Sequence, residues 1–162
     1  MEKTAENRQQ VLSSDQLLES WQGHRSLTRR VIEAFPEDAF FEFSIGGMRP
    51  FAGMVKELLA IAEPGLREMA TGKTETFDEY RDFGNTKAKL LQHWDEATEK
   101  INALWEKIEG VDFQKEILSF GQFPGTVQSS LFYFIENEIH HRGQGYVYLR
   151  SLGIVPPLFY ER

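Results

Sequence analysis

The sequence contains no cysteine. Disulfides, thiolate nucleophiles and Cys-ligated zinc are therefore excluded. Long apolar runs are missing too. "LLAIA" and "LFYFI" fall far short of the roughly 20 residues a membrane-spanning helix needs. No block of like charge reads as a polybasic or polyacidic tail. Cations are the minority, 18 Lys and Arg against 25 Asp and Glu, and the net charge of −7 repels phosphate backbones. Nucleic acid is therefore not an expected partner. His-Glu-x-x-His, Gly-x-Ser-x-Gly, the P-loop and Gly-x-Gly-x-x-Gly are all absent, which removes zincin, α/β-hydrolase and common nucleotide-binding chemistries. The opening "MEKTAENRQQ" has no apolar stretch of the signal-peptide kind. The expectation is one soluble, cytoplasmic domain over residues 1–162, with residues 1–13 as a polar leader and no membrane partner.

What is present is helical periodicity over a 41% hydrophobic chain. Helix one starts near Ser14 behind a serine cap, carries Leu17, Trp21, His24, Leu27 and Val31 on one stripe, and stops at Pro36. "EDAFFEFSIGGMRP" reads as a connection. Helix two starts around Arg49-Pro50, with Met54, Val55, Leu58 and Leu59 inward, and Pro64 predicts a kink or a break. After a polar connection over Thr71–Thr86, helix three runs from Thr86 to Ile108, with Gly110 as its expected cap. "VDFQKEILSFGQFPGT" is a short strand pair or an irregular loop. Helix four spans Thr126 to Leu152 and stops at Gly153. Four amphipathic helices in this length predict an all-α four-helix bundle.

Chemistry concentrates in helix four. Phe134, Asn137, His141, Gly145 and Tyr148 share one face. A buried imidazole and amide need partners, because an unpaired buried polar group costs about 1–3 kcal/mol. A metal, a polar ligand or a neighbouring protein group would each supply them. Gln144, three residues on, is placed to orient His141. Glu136–His140 and Glu138–Arg142 read as surface ion pairs at four-residue spacing. Glu138 and His141 also spell Glu-x-x-His, but the second copy that a di-iron bundle requires is missing.

The stretch "EIHHRGQGYVYLRSLGIVPP", Glu138 to Pro157, resembles the DinB (DinB/YfiT-like) family. "GMRPFAGMVKELLAIAE" and "KAKLLQHWDEATEKI" are similar to that family's second and third helices. The resemblance implies a four-helix bundle, often homodimeric, with a divalent metal held by three histidines. Some relatives are thiol transferases that use the metal to activate a small thiol, and some are linked to stress responses. The last ligand position falls on His141, the one four residues earlier on Asn137, and the helix-two position on Glu57. One family histidine of three remains. A Glu57–Asn137–His141 set with nickel, zinc or manganese implies a metal-dependent transferase or hydrolase acting on a small molecule or thiol. The alternative is a metal-free, small-ligand-binding or stress-associated dimeric bundle. A third reading keeps Glu57 and His141 as an acid–base pair without metal. Across the three readings the catalytic residues stay open.

Overall fold

The computed structural model describes residues 11–162. Residues 1–10, most of the polar leader, lie outside the described residues. Helix α1 (Ser14–Ala34) begins where Ser13 Oγ accepts the Gln16 N–H at 3.1 Å and the Gln16 side chain returns to the Ser13 N–H at 2.9 Å. This reciprocal pair satisfies donors that a first helical turn otherwise leaves orphaned.

The stretch expected to be a plain connection holds a short helix α2 (Glu37–Glu42). Pro36 stands at its start, Glu37 and Asp38 complement the amino-terminal dipole, and Phe40 is buried. Helix α3 (Phe51–Thr71) then runs unbroken through Pro64 to a left-handed Gly72. Of the kink or break expected at Pro64, the break does not form. Pro64 lacks one backbone donor, but Glu63, Pro64, Gly65 and Leu66 are all buried. Tertiary packing outweighs one lost helical bond.

Helix α4 (Lys87–Ile108) is capped by Thr86, whose hydroxyl accepts the Lys89 N–H at 3.2 Å. Gly110, expected to cap its far end, does not take a left-handed conformation. The next segment is the strand pair of the two readings open in the sequence. Strand β1 (Glu116–Ser119) pairs antiparallel with β2 (Phe123–Thr126), Ser119 opposite Phe123. Thr126 ends β2 and also caps α5 (Val127–Ser151), in a reciprocal pair with Ser129.

Helices α1 and α3 each pack on both α4 and α5, so the order around the bundle is α1, α4, α3, α5. The all-α bundle expected from the sequence is the fold. Two apolar clusters fill it. One gathers Phe35, Phe40, Phe51, Trp94 and Tyr148. The other gathers Trp21, Trp105, Leu131 and Phe134. Buried polar side chains of α1 and α5 lie between the two along each helix. Among the described residues, no helix is long and apolar enough to cross a membrane.

Candidate functional site

The structure brings Glu57, Asn137 and His141 together. His141 Nε2 lies 3.1 Å from Glu57 Oε1, and Asn137 Nδ2 donates to the same oxygen at 3.3 Å. A carboxylate only accepts, so the Nε2 of His141 carries the proton in this pair. The other ring nitrogen, Nδ1, faces Gln144 Oε1 at 3.4 Å. Gln144 thus lies beside the His141 ring. Its amide also donates to His140 Nε2 at 2.9 Å, so His140 leans along the helix to Gln144 and not to Glu136 as expected.

The sequence reading missed the fourth partner, Arg49. Its Nη2 donates to Glu57 Oε2. Arg49 precedes α3 and no helical spacing links it to Glu57. Both carboxylate oxygens are therefore engaged. The Glu57 carboxyl is held at about 2. The bond to His141 is the main cause, burial opposes it, and Arg49 and Asn137 add to the lowering.

That shift carries a stability prediction. A carboxyl whose folded value lies below its ordinary 4.5 stabilises the fold above pH 4.5. The contribution fades as pH falls from 4.5 through about 2. Arg49 is 47% exposed, so water screens part of it. Glu57→Gln is expected to cost about 1–2 kcal/mol at pH 7 after that discount. Urea unfolding of both proteins at pH 7 and pH 3 checks this, since the gap must narrow at the lower pH. A pH-independent gap would refute the assignment.

Beside Glu57 opens a cleft of about 460 Å³. Its walls come from α3 (Glu57, Ile61), the connection before α4 (Phe77, Glu79), the β-hairpin (Phe120, Phe123) and α5 (Tyr133, Phe134). That volume lies in the range of small-molecule sites. Phe120 and Gly121 form the hairpin turn, both with positive φ, at +54° and +66°. Gln122 closes the turn by donating to the Ser119 carbonyl at 3.0 Å. The backbone geometry is that of a tight hairpin, but phenylalanine is a poor occupant of left-handed space. Glu68 holds it there. Its carboxylate accepts the Phe120 N–H at 3.0 Å and the Glu75 N–H at 2.7 Å. Arg67 clamps the same connection through Glu75 at 2.7 Å and is itself braced by Glu63, one turn earlier on α3, at 2.8 Å.

A second polar group occupies the bundle interior. Glu138 and Arg142 do pair, at 3.9 Å, but not on the surface: they are 1% and 6% exposed. Both point toward α1. Arg25 Nη1 lies 3.8 Å from Glu138 Oε2, and Thr28 donates to Glu138 Oε1 at 2.6 Å. Arg142 donates to the His24 carbonyl and to Thr28 Oγ1, each at 3.1 Å. Burial, followed by Arg142 and Arg162, lowers His24 to about 4, so it is neutral near pH 7. Trp21, Arg25 and Thr28 follow one helical face, and that spacing was the available signal.

The DinB family model matches residues 1–162, and the chain belongs to the DinB family. It is 24% identical over 155 residues to "Uncharacterized protein YjoA" of Bacillus subtilis (strain 168), covering 94% of this chain and 99% of that one. The crystal structure of that DinB-like protein matches with a TM-score of 0.70 at 22% identity, over 91% of this chain and 99% of the other. A DinB-like protein from Bacillus cereus ATCC 10987 matches with a TM-score of 0.69 at 18% identity, over 90% and 97%. These likenesses show the fold.

Proposed function

We propose that this chain is a small-molecule-binding DinB bundle whose polar centre is closed on itself without a resident metal. The observation behind this is the full engagement of Glu57. Imidazole and amide N–H groups occupy one oxygen, and a guanidinium occupies the other. The family's divalent ion would need those lone pairs and a deprotonated imidazole nitrogen. It would also sit beside the positive charge of Arg49, which Coulomb repulsion disfavours. Among the described residues, no group of three or more His, Asp or Glu converges in a way that could hold a metal. The residues present therefore do not fit a tightly held ion. A carboxylate held this low is a poor proton acceptor at neutral pH, so the acid–base reading is also disfavoured. A fixed charge at the edge of an aromatic cleft suits binding and orientation of a ligand.

Elemental analysis after growth with manganese, nickel or zinc tests this, with His141→Ala as the comparison. The expected result is substoichiometric metal in both proteins and no change in melting temperature on metal addition. Near-stoichiometric metal in the wild type, lost in the variant, would overturn the proposal and restore the metal-dependent transferase or hydrolase reading.

The homodimer implied by the family belongs to the same proposal. Ile139 and Val147 are 40% and 53% exposed on one strip of α5, with Gly143 between them. Sedimentation of a monomer alone at micromolar concentration would remove it.

A further inference from the structure

We propose that the cleft takes a small organic cation, an ammonium head on an apolar or aromatic body. This rests on the small-molecule-binding reading above and names the chemistry of the ligand. Five aromatic rings line the cleft, from Phe77, Phe120, Phe123, Tyr133 and Phe134. Its only acidic or basic side chains of the ordinary charged types are Glu57 and Glu79; no Lys, Arg or His lines it. The cations lie elsewhere. Arg49, Lys56 and Arg81 line a separate hollow on the other side of Glu79, together with Asp82. An anion is drawn to that hollow, and the aromatic cleft is left to positive charge. Arg49 answers the Glu57 charge, and Glu79, which lines both hollows, has no ion-pair partner among the described residues and is left to face a monocation.

Aromatic faces carry negative potential and attract desolvated ammonium groups. The rings are also held in place at a cost. Phe120 is the one non-glycine with positive φ among the described residues. Such strain persists where the surroundings enforce it, and it clusters at binding sites. Here Glu68 enforces it, and the ring lies 5.8 Å from Phe77. Phe77 in turn stands 6.2 Å from Phe123, edge to face. Phe123 and Tyr133 are each about half exposed, so the mouth is open. Burial and the Glu57 charge both raise the Tyr133 hydroxyl above its usual range, which agrees with a negative field at that wall.

The test is calorimetric titration with three probes of similar body: benzyltrimethylammonium, benzyl alcohol and phenylacetate. The cation is expected to bind about tenfold more tightly than either control. Glu79→Gln is expected to weaken the cation severalfold while leaving the melting temperature of the free protein nearly unchanged, and Phe77→Ala is expected to weaken it severalfold and to lower the melting temperature through lost packing on Phe120 and Phe123. Glu79→Gln reports on charge even if Glu57 variants unfold. Equal binding of cation and neutral probe would overturn the cation assignment and leave the small-molecule reading standing. No binding by any probe would overturn the assignment as well. If that came with stoichiometric metal, the underlying reading would fall with it.

Discussion

Glu138→Ala is expected to lower the unfolding free energy by about 3–5 kcal/mol, the usual cost of orphaning a buried charge. Arg25 is 1% exposed and Arg142 6%, and Glu138 is the carboxylate lying within 4 Å of both. Burial pushes the Glu138 carboxyl upward, against Arg25, Thr28 and Arg142 in that order. Removing it leaves two guanidiniums in a low-dielectric interior. Their remaining hydrogen-bond partners are neutral, and the other carboxylate acting on Arg25, Asp95, does so more weakly than Glu138. Arg25 keeps Thr98 Oγ1 at 2.7 Å, the Trp94 carbonyl at 3.0 Å and the Trp94 ring face at 4.0 Å. Arg142 keeps the His24 carbonyl and Thr28. Hydrogen bonds survive, but the compensating charge does not. Glu138→Gln restores the shape without the charge, so it is expected to recover only a minor part of the loss. Urea unfolding at pH 7 decides it. A loss below about 1 kcal/mol for the alanine variant would mean that water enters the layer and that the charges are not truly buried.

The second large effect concerns the crossing of α3 and α5. A Cβ built on Gly145 would stand 2.7 Å from Cε2 and 2.8 Å from Cζ of Phe51. Phe51 cannot yield. It is stacked on Phe35 at 4.8 Å and meets Phe40 edge-on at 6.0 Å. Gly145→Val therefore forces the helices apart, at an expected cost of about 2–3 kcal/mol for overpacking. It also carries a consequence for the site, because α3 bears Glu57 and α5 bears His141. The 3.1 Å contact between them should lengthen, and the Glu57 carboxyl should titrate closer to 4.5. The control lies two residues away. Gly143 sits on the exposed side of the same helix, and a Cβ there meets nothing within 4 Å. Gly143→Ala is expected to stabilise by about 0.5–1 kcal/mol through helix propensity and a restricted unfolded chain. Parallel denaturation of the two variants checks the opposite signs. Two losses of equal size would show that helix flexibility, and not the close approach, explains the glycines.

Much of this site was legible before any coordinates. Asn137, His141 and Gln144 share a helix face, and periodicity alone aligned them. Glu57 entered through resemblance, and the structure does bring it to His141. Arg49 was invisible, because it reaches Glu57 from an irregular turn where no period constrains direction. Glu138–Arg142 was recognised as a pair but assigned to the wrong environment. Four-residue spacing reports that two residues are neighbours, not which way they face. That needed the polar members of α1, Arg25 and Thr28, which an apolar-stripe reading passes over. At Pro64 the sequence left a kink and a break both open, because local chain rules cannot weigh the burial that keeps the helix running.

The buried charges also constrain the route by which the chain folds. Thr28 meets Glu138 across 110 residues, and Arg142 meets the His24 carbonyl across 118. Helices α3 and α4 are sequence neighbours and can associate early, at little loop-closure cost. The first and last long helices cannot share that head start. Until they arrive together, Arg25, Glu138 and Arg142 gain more from water than from any apolar surface. Docked alone, α1 would bury the Arg25 charge without Glu138, whereas α5 brings Glu138 and Arg142 together on one helix. The cost of a buried Arg25 charge is lifted only where α1 meets α5, so the layer favours that helix pairing over others.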